Sequence, residues 1–88
     1  MNYITNKKYI CDRLLAIINN IANINITDMD CSLFSLKYNL PAESMVYILL
    51  IASNVFQFKI NDGFIVSLND YSYNNIVNSI INQISISQ

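Results

Sequence analysis

Apolar residues recur at intervals of three and four in separate stretches of the chain. Ile10, Leu14, Ile17, Ile18 and Ile21 make one stripe, with Asn6, Asp12, Arg13, Asn19 and Asn20 lying away from it. This spacing predicts a helix over about 9–21, with Thr5 or Asn6 as its cap. Ile76, Val77, Ile80, Ile81 and Ile84 make a second clean stripe, which predicts a last helix over about 73–84, capped by Asp70 or Ser72. Beyond it, Ser85 to Gln88 are expected to fray. Between these two, the run from Leu40 to Phe56 is denser in apolar residues. Pro41 suits a first helical turn, where its missing N–H has no intrahelical partner to lose, and Glu43 favours the positive end of the helix dipole. A helix over about 42–56 follows. Val46, Leu49, Leu50, Ala52 and Phe56 are expected on its inner face, and Ser44, Tyr47, Asn54 and Gln57 roughly opposite.

The connecting segments carry weaker signals. Asn23 to Asn39 is a long connection in which Asn25 to Asp28 alternates briefly, too short and too isolated to argue for a sheet. A loop of this length must pin itself with its own side chains. Met29, Leu33, Phe34 and Leu36 are the expected anchors, with one helical turn around Ser32 to Leu36. After Phe56 the chain alternates to Asp62, so Phe58 and Ile60 are expected to tuck into the core. Gly63 is expected to break the segment. Phe64, Ile65, Val66 and Leu68 then predict a short third helix over about 63–68 or an irregular turn. The reading is an all-α fold, one domain over 1–88: a four-helix bundle with a long first loop and a short third helix.

Composition narrows the classes of function. The 88 residues are 53% apolar and 12% charged, which argues against disorder, and one Gly and one Pro disfavour a many-turned β architecture. The abundance of Asn and Ile reads as codon bias of a low-GC bacterium, with most Asn on solvent-side positions where Lys or Glu would serve equally. Net charge is −1 and the basic residues are scattered, so no nucleic-acid partner is expected. The longest uninterrupted apolar run, Met45 to Ala52, is far too short to cross a bilayer, so no membrane partner is expected. Met1 to Lys8 lack the apolar core of a signal peptide, and a cytoplasmic location is the default. Cys11 and Cys31 stand alone and histidine is absent, which removes the usual zinc ligands, general base and nucleophile partner. Asp28 and Asp30 are too few ligands for calcium. The chain is therefore expected to have no metal site, no catalytic residues and no enzymatic activity of its own.

Taken in order, these features resemble an acyl carrier protein. In that family a Leu-Gly-x-Asp-Ser-Leu motif opens the second helix, and Leu40-Pro41-Ala42-Glu43-Ser44-Met45 is similar to it. The exit Phe56-Gln57-Phe58-Lys59-Ile60-Asn61-Asp62 looks like the family's alternating stretch after that helix, and the final helix is similar in length and stripe. The resemblance covers about Tyr9 to Ile84. It implies an acyl-carrier-like fold with a 4'-phosphopantetheine arm on Ser44 that would carry an acyl or peptidyl thioester. The implied partners are a phosphopantetheinyl transferase and an acyl- or peptide-modifying enzyme, met by a monomer. Family spacing between the modified serine and the helix-ending Phe is about fourteen positions, which leaves two registers open. Counting back from Phe56 reaches Ala42 and places Val46, Leu49 and Ala52 in the core. Starting from Ser44 reaches Phe58 and places Asn54 there.

The second helix bears a single acidic residue, Glu43, where typical carriers bear several. Its pattern looks closer to the divergent acyl-carrier-related proteins of peptide-maturation (bacteriocin-like) cassettes. Glu43, Met45, Tyr47, Leu50 and Ile51 are the candidate partner-binding residues. Tyr47, Leu50 and Ile51 either pack in the bundle or, if exposed together, form an apolar docking patch. The alternative to the Ser44 carrier is a carrier-shaped adaptor without prosthetic group, binding a partner enzyme or peptide in peptide maturation through this helix. A small helical immunity or regulatory protein is a third class.

Overall fold

The computed structural model describes residues 6–87, and all of its regular structure is helical: α1 (Lys7–Ala22), α2 (Ala42–Phe56), α3 (Asp62–Ser67) and α4 (Tyr73–Ser87). α1 packs against α2 and α4, and α3 packs against α4. α1 begins two residues before the expected Tyr9 because Asn6 caps it, its Oδ1 accepting the Tyr9 N–H at 3.2 Å. The other expected cap, Thr5, lies outside the described residues. Ile10, Leu14 and Ile18 are fully buried, while Ile17 and Ile21 flank them half-buried against the core. α4 buries Ile76, Val77, Ile80 and Ile84 and runs on to Ser87, where fraying was expected from Ser85; Gln88 lies outside the described residues. Its start uses both expected caps. The Asn75 N–H donates to Ser72 Oγ at 3.2 Å, and Asp70 Oδ1 accepts the Ser72 N–H at 2.9 Å and the Asn75 amide at 2.6 Å.

The long connection contains no strand and no helix. It folds back on itself at residues 32–40, where the Asn39 N–H reaches Ser35 O at 2.6 Å and the Leu40 N–H reaches Leu33 O at 2.9 Å. The loop is sewn to the start of α4 by Leu33 N–H to Tyr71 O at 3.0 Å, Asn74 N–H to Met29 O at 2.9 Å and an isolated antiparallel bridge between Ser32 and Ser72. This turn sends Leu33, Tyr38 and Leu40 inward and leaves Leu36 at its tip, 96% exposed. Leu36 is thus no anchor, and Phe34 is 40% exposed and lies against Tyr71 with ring centroids 5.0 Å apart. Met29 and Leu33 do pin the loop, joined by Ile26, Tyr38 and Leu40. Tyr38 acts over a distance of ten and eleven residues. Its phenolic oxygen accepts the Asp28 N–H at 2.7 Å and the Thr27 N–H at 3.0 Å, satisfying backbone groups that no secondary structure would pair.

Two expectations about polar punctuation change. Gly63 does not break the chain. It sits inside α3 with no positive φ, and the break before it is made by Gln57 in the left-handed region (φ 60°) and by Asn61, whose Oδ1 caps α3 through the Phe64 N–H at 2.9 Å. Most of the described asparagines are exposed as expected, but five of them are not interchangeable with Lys or Glu. Asn23, Asn39 and Asn69 hold positive φ, and Asn6 and Asn61 cap helices. Asn tolerates the left-handed region because its short side chain bonds locally, so in a chain with a single glycine it takes over the turns glycine usually makes. Phe58 is buried and lies tilted against Phe64 with ring centroids 5.0 Å apart, and Ile60 packs half-buried against the core, as the alternation predicts.

Candidate functional site

The start of α2 is set by Pro41, extended at φ −64° and ψ 145°, directly after the closed turn of the loop. No side chain caps this helix, and Glu43 is the acid of its first turn. Ala42, the first helical residue, is exposed. Ser44 is the third helical residue and is half-buried, and its hydroxyl makes no hydrogen bond among the described residues. Its neighbour Met45, expected on the partner side, is only 3% exposed and belongs to the core. Neither register of the helix holds throughout. Val46 is 55% exposed where the Phe56 register needs it inside, and Asn54 is exposed where the Phe58 register needs it inside. Both Phe56 and Phe58 are buried.

The inner face of α2 is Met45, Ile48, Leu49, Ala52 and Phe56. Val46 and Leu50, expected inside, point to solvent instead. The physical reason lies in the helix itself. Apolar residues ring it, so their spacing carries no phase, and the two ends must choose the face. Phe56 meets Tyr9 edge-on with ring centroids 6.1 Å apart, and Leu40 is drawn in just before the helix. That rotation exposes Tyr47 (58%), Leu50 (53%) and Ile51 (41%) together with Val46. At 3.6 residues per turn these four share one arc over two turns, bounded by Glu43 at one end and Asn54 at the other. Three of the four were candidate partner residues. Val46 was missed, although its spacing of four from Leu50 is a same-face signal.

The rest of the surface holds less chemistry. A hollow of about 450 Å³ lies along α1 between Arg13, Ala16, Ile17, Asn19 and Asn20, and one of about 290 Å³ lies beside the end of α2 at Ser53, Asn54, Gln57, Phe58 and Lys59. Neither gathers titratable groups. Among the described residues no three His, Cys, Asp or Glu come together, and Cys11 and Cys31 are free and half-buried. No described helix is long and apolar enough to cross a membrane.

The perturbed titrations belong to structural bonds. Burial pushes the Tyr73 phenol far up, and its O–H donates to the Cys11 carbonyl, tying α4 to α1. The Ser72 N–H, with help from the Asn75 amide, holds the Asp70 carboxyl below the usual range. Tyr38 is lowered by the Thr27 hydroxyl and by the two loop N–H groups aimed at its oxygen. No protein-family model matches the chain, and neither curated proteins nor solved structures yield a match.

Proposed function

We propose that this chain is a carrier-shaped adaptor without a prosthetic group, docking a partner enzyme or its peptide through the outer face of α2 during peptide maturation in the cytoplasm. The observation that carries this reading is the apolar arc of Val46, Tyr47, Leu50 and Ile51, which the bundle does not use. Contiguous exposed apolar side chains of this kind mark partner sites, and the aromatic Tyr47 is the residue type most often central to them. A face with one acid gives a basic partner little to read, so the partner surface is apolar and weakly charged. Ser44 is the residue the carrier reading requires, and its half-burial in the third helical position, with Ala42 at the start, favours the adaptor.

One feature favours the carrier as the second reading. The first-turn N–H groups of α2 have no side-chain cap, and the unengaged Ser44 hydroxyl stands in that turn, a place where a phosphate is stabilised. A 4'-phosphopantetheine held there would supply a thiol for an acyl or peptidyl thioester. This chain's own part would be limited to presenting the hydroxyl to the transferase.

Intact mass after co-expression with a broad-specificity phosphopantetheinyl transferase separates the two. The adaptor predicts an unchanged mass. A gain of one phosphopantetheine, lost in Ser44→Ala, replaces it with the carrier. Docking is checked by a photo-crosslinking residue placed at Tyr47 or, as a control, at Asp12 on exposed α1. A discrete protein adduct at 47 and none at 12 supports the face, and equal labelling at both sites rejects it.

A further inference from the structure

The outer arc of α2 is self-complementary. Read from either end, it runs polar, apolar, apolar, polar: Glu43, then Val46 and Tyr47, then Leu50 and Ile51, then Asn54. We infer that in the absence of a partner this arc is covered by the same arc of a second copy, the two α2 helices lying antiparallel across a two-fold axis. This departs from the monomer that the sequence suggested, and it uses the face that the adaptor reading assigns to a partner.

Antiparallel pairing sets Tyr47 against Leu50 of the second copy, Val46 against its Ile51, and Glu43 against its Asn54. Each apolar side chain then meets an apolar one, and each carboxylate meets an amide that can donate to it. A two-fold interface requires this isologous matching, with every contact made twice. Parallel pairing instead sets Glu43 against Glu43 and gains no such match. Net charge of −1 per copy offers little repulsion to the approach.

Area sets the strength. Four side chains about half exposed offer on the order of 400 Å² per copy, and with the flanking polar residues the pair buries roughly 1,000 Å² in total, at the lower bound for specific association. The dimer is therefore weak and concentration-dependent, which is what lets a partner displace it.

Sedimentation equilibrium over a roughly hundredfold range of protein concentration, up to about 1 mM, tests it. The expected result is a weight-average mass that climbs from 10.1 kDa toward twice that value. Leu50→Lys abolishes the climb while leaving the helical circular dichroism intact, since Leu50 is exposed. Asn54→Lys sharpens the orientation: it places a cation opposite Glu43 in the antiparallel pair and shifts dimerisation to about tenfold lower concentration, about 1.4 kcal/mol by the standard conversion. A parent that stays at 10.1 kDa throughout, or a dimer that Leu50→Lys leaves unchanged, overturns the inference. A dimer weakened by Asn54→Lys overturns the antiparallel arrangement. The photo-crosslink at Tyr47, run in cells at low expression, reports partner docking through an adduct whose added mass differs from the 10.1 kDa of a second copy, so failure of self-pairing and failure of the adaptor reading are distinguishable.

Discussion

α2 and α4 are each fifteen residues long and both lie against α1, yet they divide their surfaces differently. α4 spends its apolar residues inward on Ile76, Val77, Ile80 and Ile84 and turns Asn78, Asn82 and Ser85 to solvent, with Ile86 exposed near its end. Its polar groups also tie it down. Ser79 Oγ donates to Ser67 O at 3.0 Å, the Tyr73 hydroxyl bonds the Cys11 carbonyl, and Ser72 and Asp70 cap its start. α2 buries five residues and still exposes four large apolar ones, with no side-chain cap. A helix whose apolar residues nearly all serve the core is explained by folding. One that carries a surplus leaves an apolar face that the bundle itself does not cover.

The comparison breaks if the two faces of α2 prove energetically alike. Phe56→Ala, on the inner face, empties a fully buried site and is expected to cost about 3–5 kcal/mol in urea unfolding, enough to leave much of the population unfolded. An intermediate loss applies to the ties of α4. Tyr73→Phe removes the bond to Cys11 O and is expected to cost about 1.5 kcal/mol at neutral pH.

The pH dependence of that difference has a definite sign. The folded state raises the Tyr73 pKa above its ordinary value of 10.0, so the contribution is complete below pH 10 and is lost above it as the unfolded chain ionises first. The gap between parent and Tyr73→Phe therefore narrows as pH rises past 10; a gap that widens would contradict the buried, donating phenol. Ser72→Ala deletes the cap acceptor of α4 and should lower stability by about 1 kcal/mol. In acid, protonation of Asp70 removes its bonds to Ser72 and Asn75. Its folded pKa lies below the ordinary value of 3.8, so that support is present above this pH and is lost as pH falls through the folded pKa. Measured melting curves of Asp70→Asn should then converge with those of the parent at low pH.

The smallest effect is the most informative. Leu50→Ala should change the unfolding free energy by no more than about 0.5 kcal/mol, because half of the side chain is already in water. A loss comparable to that of Phe56→Ala would place Leu50 in the core and remove the ground for a docking face.

How much of this could be read beforehand differs by element. The stripes at Ile10, Leu14 and Ile18 and at Ile76, Val77, Ile80 and Ile84 were sufficient to place α1 and α4, because each helix has one apolar side and periodicity then fixes both the element and its phase. The tucking of Phe58 was legible from the alternation after Phe56, while α3 was one of two readings its short apolar run left open, and Ile65 and Val66 of that run are exposed. Local residue chemistry set the caps at Asn6, Ser72 and Asp70 without help from the rest of the fold.

Only the tertiary structure decided which side of α2 faces inward. A helix apolar all round can satisfy the core with several faces, and α1 together with the neighbours of Phe56 and Leu40 selects one, taking Met45 in and turning Val46 and Leu50 out. The same holds for the loop. That Tyr38 would reach back to the N–H groups of Thr27 and Asp28, and that Leu36 would sit at a tip, depends on contacts between residues far apart in the chain, for which local spacing carries no information. Sequence alone determined that α2 is a helix apolar on nearly every side; the packing of its neighbours decided which of those residues are buried and which are presented to solvent.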